Sequence, residues 1–144
     1  MFKRILVPTD GSELATQAAL RAVPLARMAG ASVTGLYVQG VYPYSGIGEA
    51  SMAAMQSYVS AGRAEGQRAV ERIADAAKAE GVPFESLVVE NAQVADGIVQ
   101  AAQQSNADLI AMGSHGRSGL AKLMIGSVAA KVLALSPIPV LIFK

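Results

Sequence analysis

At 144 residues, 52% hydrophobic and 16% charged, the chain has material for one well-filled domain spanning 1–144. With no cysteine it builds neither disulfides nor thiolate metal sites, a composition that suits a reducing cytoplasm. Its net charge of +1 comes from basic and acidic residues mixed along the chain, so no positive field is available to hold a nucleic-acid backbone.

In chain order, the first predicted element is a strand over 3–8, "KRILVP". Its basic pair and apolar run look like the start of an export signal, but the run stops at Pro8, far short of a signal core. A helix follows over 12–29, with Leu14, Ala18, Val23 or Ala22, and Leu25 near one face and Gly30 at its end. Pro24 is expected to kink it. A strand over 32–38 leads into a connection rich in Gly and Tyr, 39–50, which is a candidate lid.

The pattern over 50–80 is the clearest helix. Met52, Met55, Val59, Gly62, Gly66, Val70, Ile73 and Ala77 recur at spacings of three and four, and read as an inward-facing stripe. Met52, Met55 and Tyr58 are taken as core or interface packing before a binding box. Gly81 closes this helix and Pro83 prevents its resumption. Then come a strand over 84–90, a helix over 94–104, a strand over 107–113, a helix over 127–135 and a final strand over 138–144. The most apolar stretch, "VLALSPIPVLIF", is too short and too proline-broken to span a bilayer. A soluble, cytoplasmic protein without membrane or nucleic-acid partners is the expectation. Strands alternating with helices, several with neighbouring apolar residues, predict an α/β domain with a mainly parallel sheet covered on both faces.

In such a sheet ligands bind beyond the carboxyl ends of the strands, where the winding reverses. Gly113, Gly116, Gly119 and Gly126 cluster just after the fourth strand. Amides of a glycine-rich turn can converge on an anion, and Gly126-Ser127 opens a helix whose amino end favours phosphate. The stretch is neither a P-loop nor a dinucleotide fingerprint, so a tight turn and a helix start explain the glycines equally well. Asp10 stands after the first strand in "VPTDGSELA". Asp10 with Glu13 fits a helix N-cap, which is the preferred reading of the residue alone, and a carboxylate there also suits ribose hydroxyls. His115 is the chain's one histidine, so no histidine metal cluster exists; solvation in the loop is preferred over phosphate contact. Arg117 is either a phosphate partner or a surface arginine. Ser114 and Ser127 lack a base beyond His115, so no activated nucleophile is evident.

Gly113-x2-Gly116-x9-Gly126-Ser127 resembles the G-2x-G-9x-G-[ST] signature of the universal stress protein family, in its ATP-binding subgroup. "ILVPTDGSELA", "ADLIAMGSHGRSGL" and the ending "PVLIFK" are similar to that family too, and the resemblance covers the whole chain. It implies an open, Rossmann-like five-stranded parallel sheet in the order 3-2-1-4-5 with helices on both faces, which sets Asp10 and Gly113 across one crevice. It also implies that Pro8, Thr9 and Asp10 line the adenosine side, with Asp10 on the ribose. Val38 would offer backbone groups to adenine, and Met112 and Gly113 would floor the pocket. Gly116, Gly126, Ser127 and Val128 would hold the phosphates, so that a side chain at either glycine fills the phosphate volume. Arg117 falls at a variable position of the motif. The implied ligand is ATP, with Mg²⁺ bridging its phosphates. The implied function is that of an ATP-binding regulatory stress-response protein, working as a nucleotide-sensitive homodimer paired through strand 138–144 and read by unnamed protein partners. Alternatives are a slow ATPase or autophosphorylating protein, and an interaction module with a vestigial pocket.

Overall fold

Ile5, Leu6 and Val7 are all buried, and consecutive strand residues point to opposite faces, so β1 (Arg4–Pro8) must be covered on both sides. The computed structural model, which describes residues 1–43, 48–115 and 124–144, shows how. Ile5 and Val7 join Val33, Leu109 and Ala111 in a core shared with α1 (Glu13–Ala29) and α2 (Glu49–Ala79). Leu6 joins Leu36, Ile110 and Met112 in a second core against α3 (Val94–Gln104) and α4 (Ser127–Leu135). The other strands are β2 (Ser32–Gln39), β3 (Phe84–Glu90), β4 (Leu109–Gly113) and β5 (Val140–Phe143).

All pairings are parallel and the strand order is β3-β2-β1-β4-β5. Ile5 is in register with Val33 on one side and Leu109 on the other. The chain therefore winds outward from β1 through β2 and β3, then crosses back to lay β4 on β1's other side. That reversal opens a crevice between the carboxyl ends of β1 and β4. β5 closes the order at the far edge, and all four of its residues are only half-buried.

Two expectations about the helices change. α1 spans Glu13–Ala29 with Pro24 on its exposed side; Ala18, Ala22 and Val23 are buried as expected, but Leu14 is exposed and the rest of the buried face is Ala15, Ala19 and Ala26. At about 100° per residue Leu14 falls at the margin of that face, roughly 110° from its centre, and so turns to solvent. The stripe on α2 is buried only in its carboxyl-terminal part, at Gly66, Val70, Ile73 and Ala77. A 31-residue helix is about 47 Å long, whereas the 8-residue β2 beneath it spans roughly 26 Å, so its amino-terminal turns outrun the sheet. Met52, Met55 and Tyr58 are consequently exposed, and Tyr58 packs edge-on against Tyr42 at 5.3 Å. At Gly66 helix and strand come close: a Cβ there would stand 2.7 Å from the Tyr37 ring. Residues 44–47 of the candidate lid lie outside the described residues. Among the described residues no helix is long and apolar enough to cross a membrane.

Candidate functional site

The turn after β1 is held by its own side chains. Thr9 N–H donates to the Leu36 carbonyl at 2.8 Å, carrying the β1–β2 pairing one residue past Pro8. Thr9 Oγ1 accepts from Gly11 N at 3.1 Å, and Asp10 Oδ1 accepts from Ser12 N at 2.9 Å. Gly11 sits at φ +79°, a conformation that favours glycine. Ser12, not Asp10, is the N-cap of α1: its Oγ accepts from Ala15 N at 3.2 Å. Glu13, the other half of the expected cap, turns outward to Gln17 and Arg72. The Gln17 hydrogen bond first, and Arg72 after it, hold its carboxyl below the usual range. Asp10 Oδ1 therefore shapes the turn, and Ser12 is the residue that caps the helix.

The β4 side is pinned by main chain. Ser114 N donates to the Phe143 carbonyl at 2.9 Å, and Gly126 N donates to the Ser114 carbonyl at 2.7 Å. A Cβ on Gly126 would stand 2.7 Å from that same carbonyl oxygen. Glycine at 126 is thus demanded by the protein's own backbone, whatever the cavity holds. Gly113 has a related constraint, since a Cβ would come to 3.1 Å from Ala18 of α1. Gly126 begins α4 with no side-chain cap and no acidic residue in the first turn. The opening amides of any helix lack intrahelical partners, and here they carry the positive end of the dipole.

Between the two turns lies a cavity of about 350 Å³. Every predicted residue within the described segments lines it: Pro8, Thr9 and Asp10 from β1 and its turn, Val38 from β2, Met112 and Gly113 from β4, and Gly126, Ser127 and Val128 at the start of α4. Gly116 and Arg117 lie outside the described residues. Further lining comes from Ala15, Tyr37, Val94, Ile98, Ser114, His115 and Ala129, which the sequence reading did not place there. Val94 and Ile98 carried a signal, because their four-residue spacing puts both on one face of α3. His115 was expected in solvent, but it is only partly exposed; its Nδ1 stands 2.9 Å from Ser114 Oγ and its Nε2 is buried. The chemistry of the walls divides: Val38, Val94, Ile98 and Met112 are apolar, while Thr9, Asp10, Ser114, His115 and Ser127 are polar. A second cavity, of about 400 Å³, lies at the opposite ends of the strands between Arg4, Asn106 and Ile138. There Arg4 Nε already donates to the Asn106 carbonyl at 2.7 Å, and among the described residues no carboxylate or helix amino terminus lines it.

The sequence matches the universal stress protein family over residues 1–144. The chain belongs to that family. Universal stress protein MJ0531 of Methanocaldococcus jannaschii is 34% identical over 145 residues, covering 100% of this chain and 83% of that protein. Among solved structures of the family, the universal stress protein UspA of Lactobacillus plantarum superposes with a TM-score of 0.85 at 25% identity, covering 99% of this chain and 97% of that one. A universal stress protein in complex with cAMP superposes with a TM-score of 0.72 at 30% identity, again covering 99% and 97%. The Rossmann-like sheet order expected of a universal stress protein is the order observed.

Proposed function

We propose that this universal stress protein binds an adenine nucleotide, ATP in the first instance, in the cavity between β1 and β4, and that it acts as a nucleotide-sensitive regulatory homodimer in the cytoplasm. The observation that carries the reading is the convergence, at the winding reversal, of a carboxylate, apolar walls and an uncapped helix amino terminus. Those three features match the three parts of a nucleotide. Asp10, whose Oδ1 accepts from Ser12 N, lines the cavity and is the carboxylate placed to take the ribose hydroxyls. Val38 offers main-chain groups to the base, flanked by Val94, Ile98 and Met112. Ser127, Val128 and the α4 amides take the phosphates, with Gly116 and Arg117 contributing from the rest of the glycine motif. The relative bound to cAMP supports an adenine nucleotide as the ligand class.

Among the described residues no group of three His, Cys, Asp or Glu is placed to hold a metal. Mg²⁺ would therefore travel with the nucleotide, coordinated mainly by phosphate oxygens and water. β5 supports the dimer: as a half-buried apolar edge strand it is open to pairing with a second copy. The test is to denature protein purified from cells and identify released ligand by mass spectrometry, with calorimetric titration of ATP and AMP into ligand-free protein. Released adenine nucleotide and saturable binding are the expected results. No ligand and no heat with either nucleotide would remove the proposal.

A further inference from the structure

α3 rests on the end of β2 at a residue that has no side chain. Gly97 is buried in the first turn of α3, and a Cβ there would stand 2.9 Å from Val38 Cγ1, 3.3 Å from Val38 Cγ2 and 3.1 Å from Asn91 Cβ. Carbon atoms sit comfortably only from about 3.5 Å, so helix and strand would have to part by roughly half an ångström to admit one methyl group. Neither neighbour gives way easily. Val38 is β-branched and stiff at χ1. Asn91 is tied on three sides: its N–H donates to the Gln39 carbonyl at 2.9 Å, its Oδ1 accepts from Gln93 N at 2.9 Å, and its Nδ2 donates to Gln100 Oε1 at 3.3 Å.

The close approach matters because of what stands beside it. Val94 and Ile98, the α3 residues on either side of Gly97 in the chain, line the cavity together with Val38, whereas Gly97 itself does not. The spacing of α3 from β2 therefore sets how far Val94 and Ile98 stand from Val38 across the apolar part of the cavity. Resting on the nucleotide reading above, we infer that Gly97 is a positioning residue for the base: it lets α3 lie close enough to β2 for Val94 and Ile98 to grip the purine. A gap of about 0.5–1 Å forfeits a quarter to a half of the dispersion attraction between facing atoms, so a small displacement of α3 is felt by a flat ring packed against it. Glycine is a poorer helix former than alanine, so residue 97 favours close approach over local helix stability.

Ribose 5-phosphate, which carries the sugar and a phosphate without the base, separates this role from general support of the site. Gly97→Ala should weaken AMP binding by about tenfold in calorimetry, and should leave ribose 5-phosphate affinity, measured by NMR titration, within about twofold. In wild-type protein saturated with AMP, nuclear Overhauser contacts should join the adenine H2 or H8 proton to the methyl groups of Val94 and Ile98, a measurement that needs no variant to fold. Bound AMP without those contacts overturns the inference. Unchanged AMP affinity in Gly97→Ala overturns it as well, and so do equal losses for AMP and ribose 5-phosphate, which mark a residue that supports the whole site. Wild-type protein that binds neither AMP nor ATP defeats the nucleotide reading itself, a result distinct from AMP binding that ignores Gly97.

Discussion

The two turns flanking the cavity are built on opposite plans. After β1, Thr9, Asp10 and Ser12 each accept a hydrogen bond from an amide two or three residues along, so the turn consolidates itself. After β4, backbone contacts pin Gly126 to Ser114, but α4 starts without a side-chain cap. A self-satisfied turn contributes to folding. A turn that presents donors to a cavity is completed by what enters it. Substitutions in the first should therefore register mainly in stability, and those in the second mainly in affinity, with Asp10 straddling the two.

The largest effect should come from Val128→Asp. Val128 is 37% exposed in the first turn of α4, where a carboxylate favours the helix dipole by about 0.3–1 kcal/mol. The same charge faces the proposed phosphate site, so ATP affinity should fall about a thousandfold while the melting temperature holds or rises; at an effective dielectric of about 20, like charges about 4 Å apart repel by roughly 4 kcal/mol. Paired calorimetry and thermal unfolding check it, and unchanged affinity would break the contrast between the turns. Asp10→Asn comes next. Asparagine keeps an oxygen for Ser12 N, so stability should move little, but the charged ribose acceptor is gone and affinity should drop by about tenfold or more. Ser12→Ala should do the reverse, costing about 1 kcal/mol in denaturant unfolding through the lost cap and leaving ATP affinity within about twofold.

Glu13→Gln should do least. Its carboxyl is held low by Gln17 and then Arg72, so any stabilisation exists above its unfolded pKa and is lost as the pH falls through the lower folded value. Glu13 is exposed, where solvent screens such contacts to almost nothing. Melting curves of the variant and wild type should coincide at neutral pH and stay together on the acid side.

Much of this organisation was legible in the sequence. Hydrophobic period and Gly/Pro punctuation place the elements, and the winding reversal that brings Asp10 to Gly113 follows from the family resemblance. What escaped is what depends on three-dimensional distance. The stripe on α2 keeps its period past Val59, but period cannot say where the sheet beneath it ends, so Met52 and Met55 were placed inward. Asp10-Gly-Ser-Glu13 contains two residues able to cap, and only the position of Gly11 at positive φ selects Ser12. Gly126 was legible as a glycine that matters; that the conflict lies with the Ser114 carbonyl is a contact across eleven intervening residues. His115 looks like any loop histidine until its main chain is seen beside the start of α4.

The most direct test of the central claim is an amide NMR titration of ligand-free protein with ATP. Shifts should concentrate at Asp10, Val38, Gly113, Ser127 and Val128, around the cavity between β1 and β4, and should spare Arg4, Asn106 and Ile138 at the other end of the strands. Saturating ATP that leaves the first group unmoved, or moves the second instead, would contradict the account.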